Sequence, residues 1–134
     1  MNIKFNGTKV TRFSLVVVDN NDSELNDDFK LTFVNTFLDE DNSFTVQFTA
    51  LISSKEENFV MEIEYIGNFS SEETMTEEFK QSHFPSVNAP AIAYPFLRSF
   101  VSTVSVNANL NPVILPTINF QELVRQQNKS SELE

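Results

Sequence analysis

The chain contains no cysteine and no tryptophan, only two glycines and a single histidine. Its apolar runs are all far shorter than the roughly 20 residues that span a bilayer. Without cysteine there are no disulfides, no thiolate metal ligands and no cysteine nucleophile, a composition compatible with a reducing cytoplasm. Two glycines cannot build a glycine-rich phosphate cradle, and one histidine cannot build a multi-histidine metal site. Basic residues are also scarce: nine Lys and Arg against nineteen Asp and Glu give a formal charge of -10. Nucleic acid and anionic lipid, both held through clustered cations, are therefore poor partners, and a basic partner is the natural complement. Met1 to Val10 lacks the apolar stretch of a secretory signal. The expectation is a soluble, cytoplasmic protein that neither inserts in a membrane nor binds nucleic acid.

What the chain has in abundance is apolar contact, with fourteen phenylalanines among its 134 residues, a length that suits one domain. Its charge is unevenly spread. The 38 residues from Phe84 to Gln121 carry one formal charge, Arg98, while acids gather at Glu24 to Asp28, Asp39 to Asp41, Glu56 and Glu57, and Glu72 to Glu78. The near-neutral segment offers little to water and needs covering, and contiguous apolar surface of that kind marks association sites, so self-association is expected.

The first half alternates with period two. Phe13, Leu15 and Val17 share one face of a first strand, and Phe29, Leu31, Phe33 and Phe37 one face of a second. Phe44, Val46, Phe48, Ala50 and Ile52 do so in a third, and Phe59, Met61, Ile63 and Tyr65 in a fourth. Asp39 to Ser43 and Ser54 to Asn58 are short enough for antiparallel hairpins. The second half reads as helical. Ser70 and Ser71 ahead of Glu72, Glu73 and Glu77 suggest a capped acidic helix. Ala93, Phe96, Leu97, Phe100, Val101 and Val104 fall at three- and four-residue spacing, which predicts the main helix. Pro95 either delays its regular start to Tyr94 or kinks it. Pro112 and Pro116 impose an extended connection, and Asn119 caps a final helix. The division is thus an N-terminal extension (1–9), a four-stranded sheet (10–70), an acidic helical segment (71–83), a main helix (89–107), a C-terminal helix (119–128) and a flexible tail (129–134). The fold class is α+β, with helices on one face of an antiparallel sheet.

Several strings resemble the SecB family of export chaperones. Phe59-Val60-Met61-Glu62 followed by Gly67-Asn68-Phe69-Ser70 is similar to that family's fourth strand. Asn88-Ala89-Pro90-Ala91-Ile92-Ala93-Tyr94-Pro95-Phe96-Leu97-Arg98 resembles the opening of its long helix, and Leu115-Pro116-Thr117-Ile118-Asn119-Phe120-Gln121-Glu122-Leu123 that of its last. The resemblance implies a homotetramer, a dimer of dimers, that holds unfolded polypeptides in hydrophobic grooves without catalysis. It places Tyr94, Phe96, Leu110, Val113, Ile114 and Leu115 at the groove. It puts Val60, Glu62 and Glu64 at a docking face for a SecA-like motor, and Ala93, Leu97, Phe100, Val101 and Val104 between subunits. The Asp19 to Asp28 connection is short and acidic where that family has a longer aromatic crossover. A related branch protects antitoxins, so an adaptor for one protein partner is the alternative.

Other chemistry is sparse. His83 has neither cysteine nor a second histidine to work with, and reads as a boundary residue. Glu72, Glu73, Glu77 and Glu78 lack the glycine turn and ligand alternation of a calcium loop. Neither metal nor cofactor is expected.

Overall fold

Four strands carry the alternation: β1 (Ile3–Val17), β2 (Asp28–Leu38), β3 (Ser43–Ser54) and β4 (Phe59–Ser71), all antiparallel and ordered β1-β4-β3-β2. The computed structural model describes residues 2–18 and 25–133. The β2–β3 and β3–β4 connections are tight hairpins whose turns place Asn42 (φ 48°) and Asn58 (φ 55°) in the left-handed region, which asparagine tolerates better than most residues.

The third and fourth strands give the sheet its buried face. Phe44, Val46, Phe48, Phe59, Met61, Ile63 and Phe69 are almost wholly excluded from water, and each such side chain stabilises the fold by ~1.5–3 kcal/mol. Phe44 and Phe69 stack across the β3–β4 pairing with ring centroids 5.1 Å apart. The opposite face mixes polar and acidic side chains with scattered apolar ones, Val16 and Val34 standing 54% and 59% exposed, as a sheet covered on one side allows.

The cover is helical. A single turn, α1 (Glu77–Lys80), leads into a π turn at Phe84–Asn88, then α2 (Ala89–Asn107) and α3 (Phe120–Leu133). In α2 the row Ala89, Ala93, Leu97, Val101 and Ser105, spaced four apart, has zero exposure and lies against the sheet. Burial of this row outweighs the mediocre helix propensity of the Val and Thr around it. Asn119 caps α3 as expected, its Oδ1 accepting the Glu122 N–H at 3.1 Å. Phe120 then packs edge-on to Phe33 and Tyr94.

Four boundaries differ from the sequence reading. Residues 1–9 are no extension, because β1 starts at Ile3; two bulges, between Phe5 and Thr8 and between Val10 and Arg12, shift the alternation and hide the first part of the strand from a period-two search. Gly7, at the first bulge, has φ 100°, which only glycine adopts comfortably. The acidic segment 71–83 holds only α1, capped by Thr76, whose Oγ1 accepts the Phe79 N–H, while Ser70 and Ser71 end β4. The backbone of 129–133 continues α3 where a tail was expected. Pro95 lies inside α2 without ending it, on the exposed side, where the Ala91 carbonyl it leaves without an intrahelical donor can be hydrated. The acidic β1–β2 connection lies, for residues 19–24, outside the described residues.

Candidate functional site

At the end of the sheet where β2 begins, the β3–β4 hairpin and the loop leaving α2 stand apart and leave an open cleft of ≈ 410 Å³. Phe29, Ile52, Phe59 and Val113 supply its apolar wall, and Asp27, Asp28 and Glu57 its acidic rim. The strand order puts β2 at the sheet edge, so the cleft adjoins a strand that has no second neighbour among the described residues. β2 pairs with β3 in unbroken register from Asp28 to Leu38, whereas the other edge strand, β1, is bulged twice. Regular edges accept further strands and bulged ones resist them.

Local hydrogen bonds hold the rim. Asp27 Oδ1 accepts the Lys55 N–H at 2.8 Å, the Ser53 hydroxyl donates to the Asn26 carbonyl at 2.6 Å, and the Glu57 carboxylate accepts the Asn111 N–H. The floor is therefore fixed by sheet packing, and the mouth by contacts between the hairpin and two loops.

The six residues expected at a groove do not stay together. Val113 lines the cleft and Leu110 is half-buried beside it, while Ile114, 71% exposed, points to solvent. Tyr94 and Leu115 belong to the core, each 3% exposed. The Tyr94 hydroxyl donates to the Pro116 carbonyl at 2.6 Å, and Arg98 Nε donates to the Leu115 carbonyl at 3.1 Å, so the one charge of the near-neutral segment is used to pin the loop to α2. Burial pushes the Tyr94 phenol up to about 12, with the Arg98 charge opposing. Phe96 lies at the outward side of α2 against Phe5, ring centroids 5.2 Å apart.

The expected interface stripe divides in a similar way. Ala93, Leu97 and Val101 are fully buried within this one chain. Phe100 packs on Phe13 and Tyr65, and Val104 is half-buried. The nearest apolar surface available to that stripe is the chain's own sheet. What remains uncovered on α2 is the opposite row, Ile92, Phe96, Ser99, Thr103 and Val106.

Val60, Glu62 and Glu64 do share the outer sheet face, pointing away from Phe59, Met61 and Ile63. A shallow pocket of ≈ 260 Å³ there brings Glu62 and Glu64 together with Arg12, Thr49 and Leu51. His83 precedes the π turn and makes no side-chain cap. Among the described residues no group of three or more His, Asp or Glu is placed to hold a metal, and no helix is long and apolar enough to cross a membrane.

Sequence reasoning missed Phe29, Ile52, Phe59, Glu57 and Asn111 as cleft residues. The first three carried only a core signature, and Glu57 reads as a solvated turn acid until Asn111, 54 positions away, is folded against it.

The family described as preprotein translocase subunit SecB matches residues 19–131. The uncharacterized protein MJ0357 of Methanocaldococcus jannaschii is 39% identical over 59 residues, which make up 44% of this chain and 37% of that protein. The protein-export protein SecB of Anaplasma phagocytophilum is 36% identical over 72 residues, 52% of this chain and 44% of that one. The matched stretch thus spans less than half the length of either relative. In three dimensions the chain is similar to the Mycobacterium tuberculosis Rv1957 SecB-like chaperone, solved in complex with a ChAD peptide from the Rv1956 HigA1 antitoxin. The TM-score is 0.67 at 15% identity, over 87% of each chain.

Proposed function

The chain belongs to the SecB family, and from that premise we propose that it is a non-catalytic, cytoplasmic chaperone that binds extended segments of unfolded polypeptide in the cleft between β2, the β3–β4 hairpin and the loop after α2. The observation that carries this reading is the cleft's composition: an apolar wall of Phe29, Ile52, Phe59 and Val113 under an acidic rim of Asp27, Asp28 and Glu57, beside a regular edge strand. Each feature suits a different part of an unfolded chain. The wall takes apolar side chains, at ~25 cal/mol per Å² buried. The rim favours segments carrying Lys or Arg over acidic ones. The edge takes backbone N–H and C=O groups whatever the sequence.

Self-association belongs to the same proposal, with its surface moved to the outward row of α2, since Ile92, Phe96 and Val106 stand 41–53% exposed. Covering that row with a second copy completes the burial that the single chain leaves undone, and the family's dimer of dimers is the expected assembly. The outer sheet face, with Val60, Glu62 and Glu64, is the proposed dock for a SecA-like motor.

The test is capture of a reduced, permanently unfolded, fluorescently labelled client by the purified assembly. Binding in solution, suppression of client aggregation near stoichiometric ratio, and loss of both on Phe29→Ser are expected. Absence of binding to several unrelated unfolded clients sinks this reading. A second reading is favoured by the fold neighbour solved with an antitoxin peptide: an adaptor for one protein partner, which would bind a single cognate segment and ignore unfolded chains.

A further inference from the structure

The turn leaving α2 accounts for its backbone donors in an uneven way. The Ala108 N–H bonds the Val104 carbonyl, and Asn109 and Leu110 bond the carbonyls of Val106 and Ser105 at 3.0 and 2.9 Å, with Asn109 in the left-handed region at φ 63°. This is the Schellman closure of a helix C-terminus, with asparagine at the position glycine most often takes. Pro112 has no N–H, and the Val113 N–H donates to the hydroxyl of buried Ser105 at 3.0 Å. The one donor of the run that leaves the helix is Asn111, whose N–H lies 3.1 and 3.2 Å from the two carboxylate oxygens of Glu57 on the β3–β4 hairpin.

Of five N–H groups between Ala108 and Val113, four are held by α2 itself and one reaches across to Glu57. Glu57 and Asn111 both line the cleft, so the bond between them crosses its mouth, and behind it Ile52 and Phe59 are only 5% and 1% exposed. The loop is anchored again at Val113, Leu115 and Pro116, to Ser105, Arg98 and Tyr94 respectively. The Glu57 bond can therefore break while the bonds from α2 to the loop stay intact.

Resting on the reading of the cleft as a polypeptide site, we propose that Glu57 is its latch and a specificity-determining residue. Glu57 holds the Asn111 N–H across the mouth when the cleft is empty and exchanges it for a backbone N–H or a cationic side chain of an incoming chain. An N–H given for an N–H keeps the carboxylate satisfied throughout, so opening costs little once a donor is present. Unfolded segments have such donors free, while folded proteins have already paired theirs. The latch thus selects for unfoldedness as well as for positive charge.

Because the natural chain has no cysteine, Ile52→Cys in the cleft wall reports opening through its rate of reaction with a water-soluble maleimide. Adding Glu57→Ala is expected to speed labelling about tenfold, the change in open population that ~1.4 kcal/mol produces, with Glu57→Gln, which keeps one acceptor oxygen, falling between. Amide exchange should quicken at Asn111 and stay unchanged at Leu110 and Val113. Equal labelling rates in the three proteins overturn the latch, and so does faster exchange at Leu110 and Val113 in the Gln variant, which would show general loosening. Association of the labelled unfolded client should accelerate by the same factor as the thiol reaction. Faster labelling with an unchanged association rate overturns the gating of clients. Faster labelling with no client binding even by the parent chain leaves the latch standing and removes the polypeptide reading instead.

Discussion

Ala93 of α2 sits directly over Gly67 of β4, so near that a β-carbon placed on Gly67 would lie 2.7 Å from the β-carbon of Ala93. The other atoms around that position are the rings of Phe69 and Phe5, at 3.5 and 3.9 Å. The helix is seated on the sheet through this contact, and neither partner is a flexible side chain end. Gly67→Ala is expected to force α2 away from β4 and destabilise the fold by ~1–3 kcal/mol, the usual range for overpacking a tight core. Urea denaturation of the two proteins checks it, and a midpoint unchanged within error would mean that α2 is free to shift.

The bond from the Tyr94 hydroxyl to the Pro116 carbonyl ties the helix to the extended loop. Tyr94→Phe should cost ~1 kcal/mol at neutral pH, the typical net worth of a hydrogen bond, together with an unpaired carbonyl at Pro116. The pH dependence is more telling. With the phenol raised by burial to about 12 from an ordinary value of 10, the unfolded chain releases this proton first. The stability linked to it is whole below pH 10 and drains away as pH rises through 12. The parent chain should lose more stability than Tyr94→Phe between pH 10 and 12, measured by urea midpoints at each pH. Parallel curves would show that the phenol titrates freely.

Much of this arrangement is legible in the sequence. The alternation in β2, β3 and β4, the bounds of α2 and the Asn119 cap are all local patterns, and local patterns survive reading without tertiary context. The Gly67-Asn68-Phe69-Ser70 and Ala91-Ile92-Ala93-Tyr94 strings, separate in sequence, are the two halves of the Ala93–Gly67 contact. Illegible were features that depend on what a residue meets. The bulges of β1 reverse its alternation, so Ile3 and Phe5 could not be assigned to a strand. The stripe of α2 was identified correctly as apolar, yet periodicity cannot say whether such a stripe meets the chain's own sheet or another copy. Here Leu97 and Val101 are buried in one core cluster with the Phe and Ile side chains of their own sheet. Glu57 was invisible for a similar reason, since its partner is a backbone N–H with no sequence signature.

The outward row of α2 gives the assembly a clean test. Ile92 and Val106 are 41% and 53% exposed, whereas Leu97 on the inward row is at 0%. Ile92→Asp with Val106→Asp should leave the single chain's stability within about 0.5 kcal/mol of the parent, as surface changes usually do, while lowering the mass measured by light scattering below that of the parent assembly. Leu97→Asp should unfold the chain outright, because a charge would be left without water or partner in the core. Retention of the parent mass by the double variant would place the subunit contact elsewhere.

Glu62 is exposed on the face opposite Met61 and Ile63, with Arg12 and Glu64 around the same shallow pocket. Reversing its charge removes no buried contact. Glu62→Lys should therefore fold normally, keep the parent's oligomeric mass and bind unfolded client as the parent does, with a thermal midpoint within a few degrees. If this face docks a partner through its carboxylates, the same variant should weaken that complex by about tenfold or more, most strongly at low salt, because exposed charge pairs act over a Debye length of ~10 Å at 0.1 M. Titration of a SecA-like motor against both proteins, at two ionic strengths, reads this out. Equal affinities would free the outer face of any docking role, and a variant that fails to fold would mean that Glu62 faces the helices.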